Sequence, residues 1–415
     1  MSQTSIKLTH STRQISGTVQ LTGSKSESNR ALIIQAISAG KVKIKNLSHA
    51  DDTVLLTNAL KMAHQDGDTS KTIDIGPAGT AMRFLTSYLN LLPGNFTLTG
   101  TKRMQQRPIG ILVDALNSLG TTIEYEQVPG YPPLHIHGPL TQSATSVTIK
   151  GDISSQYISS LLLIASALKE GLRLDIQGEL TSKPYVTMTL DMLSEVGIQH
   201  TWTDNSIYIA PQKATPSTLY IEPDWSAASY WYAMVALSEK GSIRLPGLKR
   251  SSLQGDIAIA DIMTHFGVKT TFEDNSIYLE KTEITSQKKL FDFKSCPDLA
   301  QTVVVVASAL KRNVSFTGLE TLKIKETDRI VALQTEIAKY GAQLKEDGTT
   351  YHLYSEQVND PGEIAIETYE DHRMAMAFAP LALVFKQVQI VEPQVVEKSY
   401  PTFWDDLREQ GFAIS

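Results

Sequence analysis

One stretch near the N-terminus combines the residue types of an anion-binding site. Gly23 and Ser24 form a turn-like pair, and Lys25 and Arg30 follow in a Ser-rich segment that continues into the apolar run 31–37. This order predicts a strand end, a turn and a helix start, where free N–H groups, hydroxyls and two cations would converge on an anion. It is not a Walker phosphate loop, because Ser24 stands where that motif needs Gly before the Lys. Taken alone, the stretch is also compatible with a Ser-capped helix that carries a stray Lys.

Similar clusters of charged and hydroxyl side chains stand at or near other predicted helix starts. A cation just ahead of a helix start adds to the attraction that the helix N-terminus has for anions. One such cluster is usually a solvated helix start, but the recurrence predicts a cationic pocket that binds two small polyanions, most simply phosphates and carboxylates. The clusters, in chain order, are 79–83, 103–108, 154–156, 182–185, 323–329, 371–373 and 397–401.

Acidic residues stand among these cations. Asp298 stands at the start of one predicted helix, and Glu326 and Asp328 stand at the start of another. Glu326 follows Lys325 directly, and a carboxyl kept close to cations and to a bound substrate can exchange protons with it. Asp328 is also compatible with a simple capping ion pair with Arg329. The acids therefore add acid–base chemistry to the predicted anion site.

Histidine and cysteine give weaker signals. His372 is compatible both with a core-facing position at a helix start and with a proton shuttle. His135 and His137 would share one face of a strand, but no third metal ligand is near them, which favours hairpin packing over a metal site. Cys296 has no neighbouring His and is more typical of a small buried hydrophobe than of a nucleophile. No GxGxxG motif follows a predicted strand, so nothing indicates a dinucleotide cofactor.

The clusters recur because the chain is built from a repeat. Six segments each open with a small polar cluster, continue as a helix, give a strand, and add a second helix that often ends in Gly. The openings lie near residues 23, 76, 151, 223, 297 and 369. After the first, they are about 70–75 residues apart, which suits a small α+β module and is too long for a solenoid unit.

Turn signals support the module pattern. Gly closes the second helix of modules two to six, as expected for a residue that takes a positive φ at a helix C-terminus. Asp204-Asn205, Asp274-Asn275 and Asp347-Gly348 each predict a hairpin turn between strands. Three modules in each core is the economical division, which predicts a domain boundary near 220–226. The strand-like segment 5–20 has no partner within the first module and could pair with either half.

The bulk properties restrict the class of function. The chain of 415 residues is 41% hydrophobic and 20% charged, as in a globular protein with about two or three domains. Its net charge of −6 disfavours a nucleic-acid or membrane-binding surface. Residues 1–12 contain no apolar core of signal-peptide length, and the apolar run 302–310 predicts a buried helix. A single cysteine excludes an intrachain disulfide and favours a reducing compartment, so we expect a cytoplasmic protein. We also expect it to be a monomer.

Seven motifs together resemble the enolpyruvyl shikimate phosphate synthase family. The resemblance covers essentially the whole chain, in the family's order. It implies an α+β fold of two domains, each of three βαβαββ units around a pseudo-threefold axis, in the manner of an inside-out α/β barrel. The motifs are Gly23–Arg30, Gly79–Arg83, Arg103–Pro108, Ser154–Gln156, Ser182–Tyr185, Lys325–Arg329 and Asp371–Met376.

The resemblance also implies how the chain is divided. In this family the chain begins in the second domain, crosses near the Lys25 motif, and returns after the third unit. The expected domains are therefore 1–22 plus 223–415 and 23–222, with the active site in the cleft between them. This division would assign the segment 5–20 to the C-terminal domain.

The implied reaction transfers the enolpyruvyl group of phosphoenolpyruvate to the 5-hydroxyl of shikimate 3-phosphate and releases phosphate by way of a tetrahedral intermediate. This step of the shikimate pathway leads to chorismate and the aromatic amino acids. The chemistry suits the residues, because addition needs an acid and a base, and departure of phosphate needs dense positive charge. The resemblance implies no metal and no organic cofactor.

The resemblance assigns roles residue by residue. Asp298 would take the proton from the attacking hydroxyl, and Glu326, assisted by Lys25 or His372, would protonate the enol methylene. The residues that would bind shikimate 3-phosphate are Lys25, Ser26, Arg30, Ser154, Ser155, Gln156, Ser182, Tyr185, Asp298, Thr321 and Lys325. Those that would surround phosphoenolpyruvate are Lys25, Gly79, Arg83, Arg107, Gln156, Arg329, Arg373 and Lys398.

Three positions depart from the family's pattern. Pro77 stands where the family usually has Asn, and Phe84 where Pro often follows Met-Arg. Both touch the helix start of the second module, so they are expected to affect affinity for phosphoenolpyruvate or glyphosate. Thr321 stands where Asn often contacts the shikimate ring, and it keeps a side chain that can hydrogen-bond.

Two alternatives have to be weighed against this function. UDP-N-acetylglucosamine enolpyruvyl transferases share the fold and phosphoenolpyruvate, but they usually carry a catalytic Cys in the first domain, and 23–222 contains no Cys. An inactive paralogue would hold a phosphorylated metabolite without turnover. Such a protein is expected to have lost its acids, whereas Asp298 and Glu326 are both present.

Overall fold

The computed structural model describes residues 4–65 and 70–415. They divide into two compact units, one formed by the described residues up to Thr22 together with Glu222–Ser415, and the other by those of Gly23–Ile221. Before the first crossing the chain forms two strands, β1 (Ser5–Thr9) and β2 (Gln14–Thr18). None of the helices in these ranges is both long and apolar enough to cross a membrane.

Strands and helices alternate in three successive modules of the 23–221 unit. The first module contains α1 (Lys25–Ile37), β3 (Val42–Lys45) and α2 (Asp51–Ala63). The second contains β4 (Ser70–Asp74), α3 (Gly79–Tyr88), β5 (Gly94–Thr99), α4 (Gly110–Ser118), β6 (Thr122–Tyr125) and β7 (Leu134–Gly138). The third contains β8 (Ser146–Lys150), α5 (Ser155–Ala165), β9 (Leu172–Gln177), α6 (Lys183–Glu195), β10 (Thr201–Thr203) and β11 (Ser206–Ile209), after which β12 (Ser217–Tyr220) ends the unit.

The second and third modules have the same sheet topology. In the second, β4 is parallel to β5, and β7 and β6 follow antiparallel. The third repeats this order as β8, β9, β11 and β10. The first module differs from the expected βαβαββ unit, because β3 pairs only with β12, in parallel, and its described residues form no closing hairpin.

Three modules also form the other unit. The first contains α7 (Trp225–Leu237), β13 (Lys240–Pro246), α8 (Ile259–Thr264), β14 (Val268–Glu273) and β15 (Ser276–Lys281). The second contains β16 (Leu290–Asp292), α9 (Ala300–Ala309), β17 (Val314–Thr317), α10 (Arg329–Ala338), β18 (Gln343–Asp347) and β19 (Thr350–Tyr354). The third contains β20 (Glu363–Ile366), α11 (His372–Phe378), β21 (Gln387–Val391), α12 (Phe403–Glu409) and β22 (Ala413–Ile414).

The two N-terminal strands complete modules of this second unit. β2 is parallel to β13 at the edge of the sheet β14-β15-β13-β2. β1 lies between β21 and β22 and is antiparallel to both. The segment 5–20 is therefore two strands that belong to different sheets, with Arg13 at a φ of 53° in the turn between them.

The core of each unit is a bundle of the first helices of its modules. In one unit α1, α3 and α5 pack on one another, and in the other α7, α9 and α11 do the same. Most residues of these helices are buried, the polar first turns of α1 included, because other helices and the sheets surround them. Residues 303–306 of α9 are fully buried, which confirms the helix predicted for the apolar run.

Local turn signals also predicted the structure well. Asp204-Asn205 joins β10 to β11, Asp274-Asn275 joins β14 to β15, and Asp347-Gly348 lies at the turn between β18 and β19. The glycines that end the second helices all have positive φ values, which are 103° at Gly120, 87° at Gly197, 79° at Gly267, 94° at Gly341 and 90° at Gly411. At Gly341 a Cβ would also overlap the carbonyl oxygen of Gln357.

We therefore expect Gly341→Ala to lower the free energy of unfolding by about 2 kcal/mol or more. A left-handed conformation costs an L-residue roughly 1–2 kcal/mol, and the backbone at Gln357 would have to move as well. Gly348→Ala is the matched control, because its φ is 60° but no atom lies within 4 Å of the added Cβ. Calorimetric unfolding of both variants measures the difference, and equal losses would contradict the steric argument.

Candidate active site

Three mutually packed helices of the 23–221 unit begin at predicted site residues. Arg30 Nη2 donates to Ser159 Oγ at 3.1 Å, and Ser160 Oγ donates to the Arg83 carbonyl at 2.6 Å. Because these bonds join residues at similar distances from the starts of their helices, α1, α3 and α5 run parallel. Their N-termini therefore lie at one end of the bundle, where helix dipoles and free N–H groups favour an anion. The first residues of these helices are Lys25, Gly79 and Ser155.

Lys25 is paired with a buried acid. Its Nζ lies 3.2 Å from Oδ2 of Asp52, which is 2% exposed in the first turn of α2. Gly23 lets the chain approach closely here, because a Cβ at this position would overlap the carbonyl oxygen of Asn46. Asp52 could not be predicted as a site residue, since an acid in a first helical turn is explained equally well by the helix dipole.

The Arg107 guanidinium lies directly against the start of α3. A Cβ on Gly79 would overlap Nη1 of Arg107 and lie 3.0 Å from its Cζ, so glycine is what lets the cation approach. Arg83 Nη2 donates to the Pro108 carbonyl at 2.9 Å and its Nη1 to the Gly79 carbonyl at 3.3 Å. Tyr157 Oη donates to the same Pro108 carbonyl at 2.5 Å. Arg83 thus fixes the segment that carries Arg107, and its own contact with substrate stays a prediction.

Arg30 is buried among hydroxyls, carbonyls and aromatic rings. Its Nε donates to Thr189 Oγ1 at 2.8 Å, its Nη1 to the Ser26 carbonyl at 2.9 Å, and its Nη2 to the Tyr185 carbonyl at 3.2 Å. Its Cζ is 5.5 Å from the ring centroid of Phe84 and 5.9 Å from that of Tyr185. Burial lowers the pKa of Arg30 to about 10, so the side chain is still protonated at neutral pH. One departure from the family's pattern, Phe84, therefore packs against this cation.

The predicted hydroxyl and amide residues stand at the starts of α5 and α6. Ser154 Oγ accepts from the backbone N–H of Gln156 at 3.4 Å and caps α5. Gln156 Nε2 donates to Thr80 Oγ1 at 3.0 Å, which joins the start of α5 to that of α3. Ser182 directly precedes α6 and has a φ of 52°, a conformation that non-glycine residues rarely adopt outside constrained sites. These groups line the same end of the bundle as Gly79.

In the other unit, three carboxylates surround the Arg329 side chain. Arg329 is the first residue of α10 and is 1% exposed. Its Nε donates to Asp371 Oδ2 at 2.7 Å, its Nη1 to Asp298 Oδ1 at 3.1 Å, and its Nη2 to Glu326 Oε2 at 2.9 Å. Burial lowers the pKa of Arg329, but the three carboxylates raise it by more than burial lowers it. The pKa therefore lies above its ordinary value.

Asp298 in turn lies among three cations. Its Oδ2 is 3.0 Å from Arg373 Nη2, and its Oδ1 is 3.8 Å from Lys325 Nζ, in addition to the bond with Arg329. Burial raises the pKa of Asp298, but these three cations together bring it well below its ordinary value. Asp298 is therefore ionised at neutral pH and is a weak base in this arrangement.

The remaining predicted residues of this unit lie around the network. Glu326 Oε1 is 3.1 Å from Lys398 Nζ. His372 is buried at the start of α11, with Nδ1 3.6 Å from Asp371 Oδ1. Thr321 Oγ1 is buried and has no hydrogen-bond partner among the described residues. The structure thus joins Asp298, Lys325, Glu326, Arg329, Arg373 and Lys398 in one network, and leaves Thr321 outside its hydrogen bonds.

A buried acid holds the strained turn that precedes α11. Tyr369 and Glu370 have φ values of 53° and 56°, which are uncommon for non-glycine residues. Glu336 is fully buried in α10 and accepts from Tyr369 Oη at 2.7 Å and from the Glu367 N–H at 3.1 Å. The turn leads into Asp371, which caps α11 and binds Arg329. Glu336 could not be predicted as a site residue, because one Glu on a predicted helix gives no distinguishing signal.

Known proteins are similar in sequence to this chain over almost its whole length. A family model for EPSP synthase (3-phosphoshikimate 1-carboxyvinyltransferase) matches residues 9–407. A 3-phosphoshikimate 1-carboxyvinyltransferase from Bacteroides fragilis (strain YCH46) is 49% identical over 404 residues, which are 97% of each chain. Another from Sulfurovum sp. (strain NBC37-1) is 36% identical over 424 residues, covering 95% of this chain and 96% of the relative.

Solved structures share the fold at low sequence identity. An EPSP synthase from Acinetobacter baumannii superimposes with a TM-score of 0.78 at 18% identity and 99% coverage of both chains. The enolpyruvyl transferase NikO from Streptomyces tendae gives a TM-score of 0.74 at 15% identity, covering 99% of this chain and 98% of its own. These likenesses confirm the predicted α+β fold. With the family model and the sequence relatives, they lead to one conclusion: the chain belongs to the EPSP synthase (3-phosphoshikimate 1-carboxyvinyltransferase) family.

Proposed function

We propose that this protein transfers the enolpyruvyl group of phosphoenolpyruvate to the 5-hydroxyl of shikimate 3-phosphate and releases phosphate, in the pathway to chorismate and the aromatic amino acids. The name of its 49% identical relative supports this reaction. The observation that carries the proposal is the buried network in which Arg329 and Arg373 both bind Asp298. Such a network supplies the positive charge for an anionic substrate and an acid–base group in one place.

Shikimate 3-phosphate is assigned first to the helix starts of the 23–221 unit. Hydroxyls and N–H groups at the N-termini of parallel helices suit its phosphate and ring hydroxyls. In the other unit, the buried, unpartnered hydroxyl of Thr321 is available to a ligand. The proposed ligands are Lys25, Ser26, Arg30, Ser154, Ser155, Gln156, Ser182, Tyr185, Asp298, Thr321 and Lys325.

Phosphoenolpyruvate is assigned to the arginines and lysines. Arg107 at the start of α3 combines a guanidinium with a helix N-terminus, which suits a carboxylate or phosphate. Arg329 and Arg373 are held in fixed orientations by carboxylates, so little entropy is lost when they bind an anion. The proposed ligands are Lys25, Gly79, Arg83, Arg107, Gln156, Arg329, Arg373 and Lys398.

Substrate binding would make Asp298 a better base. Without ligands, Arg373, Lys325 and Arg329 lower the pKa of Asp298. The carboxylate and phosphate of phosphoenolpyruvate would share these cations and add negative charge, and both effects raise the pKa of a carboxyl group. Asp298 then accepts the proton of the 5-hydroxyl as its oxygen attacks C2 of phosphoenolpyruvate.

Glu326 is the proposed acid for the other end of the double bond. Its two carboxyl oxygens lie at 2.9 Å from Arg329 Nη2 and 3.1 Å from Lys398 Nζ, next to the proposed phosphoenolpyruvate ligands. It would protonate the methylene carbon as the new C–O bond forms, with Lys25 or His372 assisting. In the elimination, the Glu326 carboxylate left by the first step takes a proton back from the methyl group. Phosphate departs with the proton that Asp298 accepted, and the same cations stabilise its departing charge.

The two alternatives have less support. A UDP-N-acetylglucosamine enolpyruvyl transferase would be expected to use a thiol in the 23–221 unit, where the sequence has no cysteine. Cys296 is buried, and burial raises the pKa of its thiol, which disfavours a nucleophilic role. An inactive paralogue would have no use for Asp298 and Glu326 among the cations.

We further propose that the protein acts as a monomer in the cytoplasm, on small molecules and without a nucleic-acid partner. All proposed ligands belong to one chain, so no second copy is needed to supply them. The net charge of −6 disfavours binding to nucleic acids. A single buried cysteine suits a reducing compartment.

Purified protein is expected to release phosphate from phosphoenolpyruvate only when shikimate 3-phosphate is also present. A coupled phosphate assay measures this, with UDP-N-acetylglucosamine as the competing acceptor. Turnover with the nucleotide sugar instead would favour the first alternative. If calorimetry shows that both substrates bind and the assay shows no turnover, the protein is not this enzyme.

Asp298→Ala and Glu326→Ala are each expected to lower kcat at least about a hundredfold, the usual scale for loss of a general acid or base. Asp328→Asn is the matched control from the same segment, because Asn keeps the helix cap that Asp328 forms with the N–H groups of Ile330 and Val331. Its kcat should stay within about twofold of the unmodified protein. Near-normal kcat in a folded Asp298 or Glu326 variant would show that the proton carriers are wrongly assigned.

Gly79→Ala is expected to raise the KM for phosphoenolpyruvate about tenfold while the protein stays folded. The added Cβ overlaps the flexible end of Arg107 and not the backbone, so the guanidinium is displaced without unfolding α3. A double-mutant cycle with Arg107→Ala tests the cause. If the glycine acts through Arg107, Gly79→Ala has no further effect in the Arg107→Ala background, and additive effects would exclude this explanation.

A further inference from the structure

Asp256 is a buried acid that the proposed mechanism does not use. It lies in the short 3-10 turn just before α8 and is 5% exposed. Its Oδ2 accepts a hydrogen bond from Ser226 Oγ, and its buried Oδ1 has no hydrogen-bond partner among the described residues. A buried carboxyl group with an unpaired oxygen costs free energy of folding. Its place in the fold therefore points to a role other than stabilising the unit.

The serine that binds Asp256 also contacts Arg373. Ser226 Oγ accepts from Arg373 Nη2 at 3.3 Å, and the same Nη2 is 3.0 Å from Asp298 Oδ2. The other terminal nitrogen of Arg373, Nη1, donates to Tyr230 Oη and to the Asp298 carbonyl, each at 3.3 Å. Groups on α7 and in the segment before α9 thus fix the guanidinium from two sides.

The direction of the hydroxyl proton determines this arrangement. Serine has one proton to donate, and an ionised carboxylate can only accept. With Asp256 ionised, the Ser226 proton points to the carboxylate and the oxygen lone pairs face Arg373, which can only donate. A neutral group in place of the carboxylate can itself donate to Ser226, and the hydroxyl then has no single orientation.

We propose that Asp256 and Ser226 position the Arg373 guanidinium for phosphoenolpyruvate. The inference rests on the proposed function, because it is there that Arg373 is assigned to this substrate. Asp256 is a positioning residue: it acts through Ser226 and Arg373 and does not touch the substrate. The contact that it supports belongs to binding, so its loss should appear in KM and not in kcat.

Charged groups on several elements set the protonation of Asp256. Burial and then the Asp298 carboxylate raise its pKa to about 7, while Arg373 and Ser226 lower it and Asp224 raises it. An acid with a raised pKa holds its proton below that pH and is ionised above it. Ser226 is therefore oriented toward Arg373 above about pH 7 and loses that orientation below it.

Steady-state kinetics of three variants, with each substrate varied in turn between pH 6 and 9, test the proposal. Ser226→Ala should raise the KM for phosphoenolpyruvate about tenfold, the scale of one hydrogen bond to a charged group, with kcat and the KM for shikimate 3-phosphate within about twofold. Ser226→Thr keeps the hydroxyl and should restore most of the affinity. Asp256→Asn should raise the same KM about fivefold at pH 9, the scale of a weakened hydrogen bond. The ratio of this KM in Asp256→Asn to the KM in the unmodified protein should approach one at pH 6, where the native acid is also neutral.

Asp261→Asn is the matched control, because Asp261 is an exposed acid on α8, and its kinetics should be unchanged at every pH. An unchanged KM for phosphoenolpyruvate in Ser226→Ala would overturn the proposal. A pH-independent ratio for Asp256→Asn would do the same. If Asp256→Asn fails to fold, as its melting curve would reveal, the two Ser226 variants decide alone. Absence of turnover in the unmodified protein would count against the proposed function, so the two failures can be told apart.

Discussion

The unit of residues 222–415 depends on the ion pairs that Arg329 forms with three carboxylates. A guanidinium that is 1% exposed can be tolerated only with its charge neutralised and its N–H groups satisfied, and Asp371, Asp298 and Glu326 supply both. Because Asp298 and Asp371 come from other segments of the chain, the arginine fixes where those segments lie relative to the start of α10. Removal of any partner would leave buried charge without compensation, so the network constrains the fold as strongly as it serves the chemistry.

The same constraint explains why acids and cations alternate throughout this unit. Asp298 holds Arg373, Glu326 holds Lys398, and Ser226 with Asp256 supports Arg373 from the other side. A pocket of cations alone would repel itself and would be mobile without its substrate. With the acids present, the cations are already oriented, and an arriving anion has only to compete for them. The 23–221 unit relies more on parallel helix N-termini, and its cations Lys25 and Arg30 are held by a buried acid and by neutral oxygens.

Much of the fold could be predicted from the sequence, because its signals are local. A glycine at a helix end, an Asp-Asn pair between strands or an apolar run needs no knowledge of distant residues, and the observed values of φ and burial agree with them. The pairing of β3 with β12, and the lack of a hairpin among the described residues of the first module, were not predicted, since β12 comes from the end of the unit. For the same reason Asp52, Glu336 and Asp256 went unnoticed. Each is an ordinary acid in the sequence and acquires its role only from a partner that the fold brings close.

The two units differ in when their strands can pair during translation. Residues 23–221 are contiguous, so their modules can assemble as soon as β12 has been made and pairs with β3. The other unit has to wait, because β1 pairs with β21 and Ser5 lies opposite Val391. Both N-terminal strands are made before any of their partners: β2 has an open edge until β13 (Lys240–Pro246) is made, and β1 until β21 (Gln387–Val391) is made. Such long-range pairing is slow, and exposed edges are prone to wrong associations. On the ribosome, the late pairing of β1 is the step at which the nascent protein is most open to misassembly.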